Sequence, residues 1–230
     1  MFQSASLALA QILSPPFRSV LWRSLGLTIA MLAAVWAVVY GTFTHLVVIP
    51  WDWVQTLVDV VTGIGLVVGL GFLIAPVASM FAGLFLDDVA EAVEGTHYPQ
   101  DPPGRAVPLG QSILAALRFT ALVVAVNLLV FLLVLLPGIN VFAFFLANGY
   151  LLGREYFEQA ALRFRPREEV RELRARFGGR VFLGGLLIAI VLAVPVVNLL
   201  TPLFATAFMV HLHKKLTGSR PVPAPRGALR

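Results

Sequence analysis

Between Ser24 and Thr44 the chain carries no charged residue, and as a helix rising 1.5 Å per residue that run reaches across a hydrocarbon core of about 30 Å. A second charge-free run begins after Asp59 and continues to Leu86. Only 13% of the residues are charged and 59% are apolar, whereas a soluble domain carries about 25% charge. Too few polar side chains are left to cover a fold in water. The expectation is an all-α integral membrane protein: two long transmembrane helices, two partly inserted helical hairpins, and amphipathic helices at the interface.

The first span is expected at about 20–48. Pro15 and Pro16 are placed to start it, and Trp51 and Trp53 in the following turn suit an interfacial belt. The second span, about 54–94, outruns the membrane and turns polar through Asp87, Asp88, Glu91 and Glu94. Within it Gly71, Ala75, Ser79 and Gly83 recur every fourth residue, a stripe that lets another helix approach closely. Ahead of both spans, Phe2, Ala5, Leu9, Ile12 and Leu13 share one face of a short interfacial helix. Met1 to Ala10 lacks the basic start of a cleavable signal peptide, so the N-terminus reads as mature.

Residues His97 to Pro108 carry four prolines and one glycine and read as a loop. Two similar units follow, one within about 108–164 and one within about 180–216. Each is an apolar run broken by Pro-x-x-Asn, at Pro137-Gly138-Ile139-Asn140 and at Pro195-Val196-Val197-Asn198, then a second apolar run. The run from Val181 to Val194 spans about 21 Å as a helix, short of the hydrocarbon thickness. That length predicts a hairpin turning back at mid-depth, with the ordinary tight turn at the far surface as the alternative. Between the units, Pro166 to Phe177 has Glu168 and Glu169 at its start, Arg174 and Arg176 at its end, and an apolar stripe of Val170, Leu173 and Phe177. It reads as a helix on the membrane surface. Residues 1–216 make one membrane domain, and 217–230 read as a disordered basic tail.

All 17 Lys and Arg residues lie before Ser24 or after Gly104. Two spans return the chain to its starting side and each hairpin re-enters the side it left, so these charges share one face. By the positive-inside rule that face, with both termini, is cytoplasmic, in a bacterial-type inner membrane. The net charge of +5 then needs anionic lipid and no nucleic-acid partner.

The chain has no cysteine, which removes disulfides, thiolate metal sites and cysteine nucleophiles. His211 and His213, two apart, point to nearly opposite sides of a helix, so no metal site is expected. The phrase Gly63-Ile-Gly65 lacks the third glycine of a nucleotide loop and lies inside an apolar run. No paired carboxylates or histidines lie in the apolar runs, so neither an enzyme nor a cofactor is expected. Arg18 and Arg23 stand near the start of the first span, where backbone N–H groups and the helix dipole favour an anion. They either hold an oxyanion or bind lipid phosphate and set topology. Arg118 precedes a long apolar run and needs a partner. Arg154 and Glu158, four apart, are spaced for an ion pair.

The string Pro137-Gly-Ile-Asn, Asn148-Gly-Tyr-Leu-Leu-Gly-Arg-Glu-Tyr-Phe-Glu158 and Pro195-Val-Val-Asn-Leu-Leu-Thr-Pro202 resembles the CysZ sulfate permeases and the wider etoposide-induced-protein-like membrane family, from about Pro15 to Lys215. The resemblance implies two long helices with two partly inserted hairpins, a homo-oligomer, and sulfate uptake for cysteine synthesis without an ATP-binding subunit. It also implies a Gly-hydrophobic-Arg-basic element before the first long helix that binds sulfate. Pro16-Phe17-Arg18-Ser19 corresponds to it, with the arginine matching and the glycine and second basic residue replaced. On this reading Arg18 and Arg23 attract sulfate or a similar anion, while Asn140 and Asn198 replace part of its hydration at the hairpin tips. The rival is a non-transporting scaffold whose hairpins wedge into one leaflet and whose arginines bind lipid.

Overall fold

The computed structural model describes residues 1–105, 121–122, 125–126, 128, 139–194 and 197–222. Among them the chain forms α1 (Phe2–Gln11), α2 (Pro15–Leu46), α3 (Asp52–Gly83), α4 (Leu86–His97), α5 (Ile139–Leu162), α6 (Arg167–Arg176), α7 (Gly178–Leu192), a 3₁₀ turn at Val197–Leu200, and α8 (Thr201–Leu216). The described residues contain no strand. The fold is all-α.

Helices α2 and α3, 32 residues each, are about 48 Å long and pack side by side. Both contain segments long and apolar enough to cross a membrane, Pro15–Leu46 and Asp52–Ile74, and apart from Phe17, Val20, Ser24, Thr28 and Leu32 on α2 they are little covered by the rest of the chain. Their apolar side chains, among them Val38, Val61, Ile64, Val68 and Phe72, stand exposed. An apolar two-helix arm of this length is stable only in lipid or against other protein. The connection is tied by the Ile49 N–H, which donates to Gln55 Oε1 at 2.7 Å, while Gln55 Nε2 donates to Asp59 Oδ1 at 2.9 Å. Farther along the arm, the Trp36 indole stacks on Tyr40 with ring centroids 4.9 Å apart. Gly63 lets that stack lie against α3, because its absent Cβ would stand 3.3 Å from the Tyr40 ring.

The second long run is not one helix. It stops at Gly83, turns through Leu84 and Phe85, and restarts as α4. The expected span to residue 94 is thus divided where the apolar stretch gives way to Asp87 and Asp88, whose charge suits a new helix N-terminus.

The core forms around α8. All fourteen residues from Thr201 to Lys214 are buried, with α1, α4, α5, α7 and α3 packed about them. Helix α7, 15 residues or about 22 Å, meets the surface helix α6 at 88°. The 3₁₀ turn beyond α7 rests on α3. Helix α7 is thus less than half as long as α3, on which the turn beyond it rests.

The closest helix approach lies between α5 and α7. A methyl group on Gly185 would collide with the Gly149 carbonyl oxygen and the Gly153 backbone, and one on Gly153 would stand 2.5 Å from the Val181 carbonyl oxygen. Gly149 and Gly153, four apart on α5, thus let the two backbones touch. In the small-residue stripe expected on α3, a methyl group added to Gly71 or Gly83 would meet nothing within 4 Å. Buried Ala78 and Ala82 carry that helix's packing instead.

Helix α1 lies on α8 through Ser4, Ala8 and Gln11. Its expected apolar face is only partly turned inward: Ile12 is buried, while Phe2, Leu9 and Leu13 are exposed. That is the arrangement of an interfacial helix whose small and polar residues meet protein and whose large apolar ones meet lipid.

Candidate functional site: charged mouth, hairpin tip and buried polar helix

Arg18 and Arg23 both lie within α2, and both are exposed. Five residues apart, they project about 140° from one another around the helix, so they form two flanking charges and no single clamp. Among the described residues neither has an acidic partner, which leaves both available to an anion. The helix start itself offers less than its sequence position suggests. Pro15 and Pro16 have no N–H, Ser14 N–H is bonded to Gln11 O, and Arg18 N–H to Ser14 O. Phe17 supplies the one backbone donor left in this first turn, and its side chain is buried. The expectation of several free N–H groups at this mouth is corrected: the two side chains and the helix dipole are what remain.

Asn198 sits at the opposite end of the second hairpin, about the length of α7 from the end where α1 and α4 pack. Its N–H is bonded to Val194 O at 3.0 Å, and its Oδ1 is buried without a partner among the described residues. The same holds for Thr201 Oγ1 and Thr206 Oγ1 on α8. A helical threonine usually returns its hydroxyl to the carbonyl four residues back, as Thr28 does to Ser24 O at 2.7 Å. An unpaired buried polar group costs about 1–3 kcal/mol, so these three atoms, without a partner among the described residues, are polar groups open to a ligand or a second copy. Asn140 opens α5, but its side chain lies outside the described residues, as do Pro137, Gly138, Pro195 and Arg118.

The base of the fold holds paired charge. Arg163 Nε donates to Glu94 Oε1 at 2.8 Å, both side chains being nearly buried, and its Nη1 is paired with Asp87. Glu94 also accepts the Gly104 N–H at 2.9 Å. This joins α4, the following loop and the end of α5, a set that no spacing in the chain announces. Arg154 Nε stands 3.8 Å from Glu158 Oε2. Glu158 also faces Arg174 at 3.2 Å and Arg167 at 3.8 Å, tying α5 to the surface helix α6.

His211 and His213 diverge. Tyr98 Oη lies 2.9 Å from His211 Nδ1, and His211 Nε2 lies 3.2 Å from Gln11 Oε1. Since the Gln11 oxygen can only accept, His211 carries its proton on Nε2 and Tyr98 donates to Nδ1. His213 instead stacks on Phe164, 5.4 Å between ring centroids. Beside it Lys214 Nζ donates to Asp101 Oδ2 at 2.8 Å. This hydrogen bond holds the Asp101 carboxyl below its ordinary value, against the opposing effect of burial, with the Ser219 hydroxyl adding to it. Among the described residues no group of three or more His, Cys, Asp or Glu side chains is placed to hold a metal ion.

An exposed apolar arm, with a short helix and its turn packed against it, is the architecture of a helical membrane protein. The profile of the family described as Sulfate transporter CysZ/Etoposide-induced protein 2.4 matches residues 4–202. The chain belongs to that family, which is a family of transporters. Among curated proteins no match is found.

Proposed function

We propose that the protein is an inner-membrane permease for a small inorganic oxyanion, sulfate being the substrate the family points to, and that it supplies sulfate for cysteine synthesis. Family membership over residues 4–202 carries this reading. Three further features support it. Arg18 and Arg23 are exposed cations without acidic partners among the described residues, suited to drawing a dianion to the membrane surface. Asn198, Thr201 and Thr206 hold buried polar atoms that want partners, and hydroxyls and amides of this kind replace the hydration of a passing anion. The charge asymmetry favours an arginine-rich face and both termini in the cytoplasm.

Arg18 lies in the first turn of α2 and Asn198 in the 3₁₀ turn beyond α7. The exposed arm suits an assembly of several copies, in which the arm of one protomer covers another. With no nucleotide motif in the chain, transport runs down a gradient or with a coupled ion.

The test is labelled sulfate flux into proteoliposomes holding the full chain. Uptake above that of empty vesicles is expected, with Arg18→Ala reducing it by at least about tenfold if one charge-assisted contact is lost. A scaffold protein would give no flux in either preparation.

A further inference from the structure

The chain does not run out into solvent after α8. Gly218, at φ +95, turns it back, with Thr217 N–H bonded to His213 O and Ser219 N–H to Lys214 O. The segment then lies across the end of α4, where the Val222 N–H donates to His97 O at 2.8 Å and His97 Nδ1 donates to Val222 O at 2.9 Å. The disordered tail expected from residue 217 is therefore an ordered strap as far as Val222.

Under this strap, between α1 and the end of α8, is a cavity of about 530 Å³ lined in part by Ser4, Tyr98, His211, Lys215, Ser219 and Arg220. Its lining carries two cations, Lys215 and Arg220, and no carboxylate. The nearby Asp101 is already engaged by Lys214 and Ser219. The floor is neutral and fixed, because Tyr98 donates to His211 and His211 to Gln11. Neither Arg18 nor Arg23 lines it, so it is separate from the mouth of α2.

We propose that this cavity binds a phosphate ester, with Lys215 and Arg220 holding the phosphate and the Ser4 hydroxyl and Gln3 amide available to donate to it. Two cations with no carboxylate among the described lining residues select an anion, and a planar guanidinium beside an ammonium suits phosphate oxygens. The volume falls within the range of organic ligand sites, about 300–1,000 Å³, and exceeds what a bare inorganic ion fills. The ligand thus carries an organic body, either as the headgroup of an anionic phospholipid or as a soluble phosphorylated compound. Exposed Phe2, Leu9 and Leu13 on and beside α1 set the opening at headgroup depth, where both sources are present.

Binding to the purified full chain in neutral detergent tests this, with three probes: dioctanoyl phosphatidylglycerol, dioctanoyl phosphatidylcholine and glycerol 1-phosphate. The first is expected to bind at least about tenfold tighter than the second, the interval for one charge-assisted contact. Glycerol 1-phosphate binding equally well assigns the site to a soluble ester, and binding of the lipid alone assigns it to a headgroup. The paired variant Lys215→Gln with Arg220→Gln is expected to erase the preference. So is Gln3→Trp, which narrows the opening without altering charge, while Arg171→Gln on α6 leaves the preference intact. Equal binding of all three probes overturns the proposal. So does an Arg171→Gln loss as large as that of the paired variant, which would mark general attraction to a basic face.

Discussion

Single residues in this protein differ sharply in what they tolerate, and the neighbours of an added atom say why. Gly185 has backbone of α5 where a side chain would go, while Gly71 has open space. Gly185→Ala is therefore expected to destabilise the detergent-solubilised protein by at least about 3 kcal/mol, the upper range for overpacking. Gly71→Ala is expected to stay within about 0.5 kcal/mol of the parent, as an open surface site does. Thermal retention of the folded peak on size exclusion compares the two, and equal loss in both would refute the close α5–α7 crossing. Asp101 makes a prediction in pH. Because Lys214 depresses its pKa in the fold, its contribution is present above the ordinary carboxylate pKa, near 4, and fades as pH falls through the lower folded value. Asp101→Asn should lower stability at neutral pH and flatten its fall in acid, measured as the melting temperature against pH. An unchanged acid slope would show that the pair contributes nothing.

At the scale of elements, what the chain discloses depends on whether hydropathy alone decides the outcome. The charge-free runs of α2 and α3 are legible because lipid imposes their length, and the shortness of α7 is legible for the same reason. The break at Leu84–Phe85 is not, since apolar residues continue to Leu86 across it. Helix α8 misleads in another way. The sequence shows it only as the second apolar run of a hairpin, yet the segment, with Thr206, His211, His213 and Lys214, is the most enclosed helix among those described. Its partners Tyr98, Gln11 and Asp101 come from distant positions, so no local spacing reveals them. The mouth of α2 is a case where the signal is present: two prolines in sequence remove two backbone donors, and Arg18 and Arg23 stand on different faces. The unsatisfied hydroxyls of α8 carry a prediction of their own. Thr206→Val keeps shape and removes the hydroxyl, so it is expected to leave stability equal or higher while reducing sulfate flux several-fold. Unchanged flux would remove α8 from the anion route.

For the molecule as a whole, three parts divide the work. A bare apolar arm is long enough to span the bilayer, the turn beyond α7 leans against it, and a base rich in arginine is braced by Glu94, Glu158 and Asp101. The anion route proposed through Asn198 depends on one spatial claim: the second hairpin turns back inside the membrane, so that its tip is reached through protein and not from the far solution. The absence of cysteine makes that claim measurable with single substitutions. In sealed vesicles, Val48→Cys in the α2–α3 connection is expected to react readily with a membrane-impermeant maleimide added on the side opposite the termini, and Asn198→Cys at the hairpin tip is expected to stay unlabelled. Labelling of Asn198→Cys as fast as Val48→Cys would mean that the hairpin crosses fully, and the proposed anion route past a buried Asn198 would be contradicted.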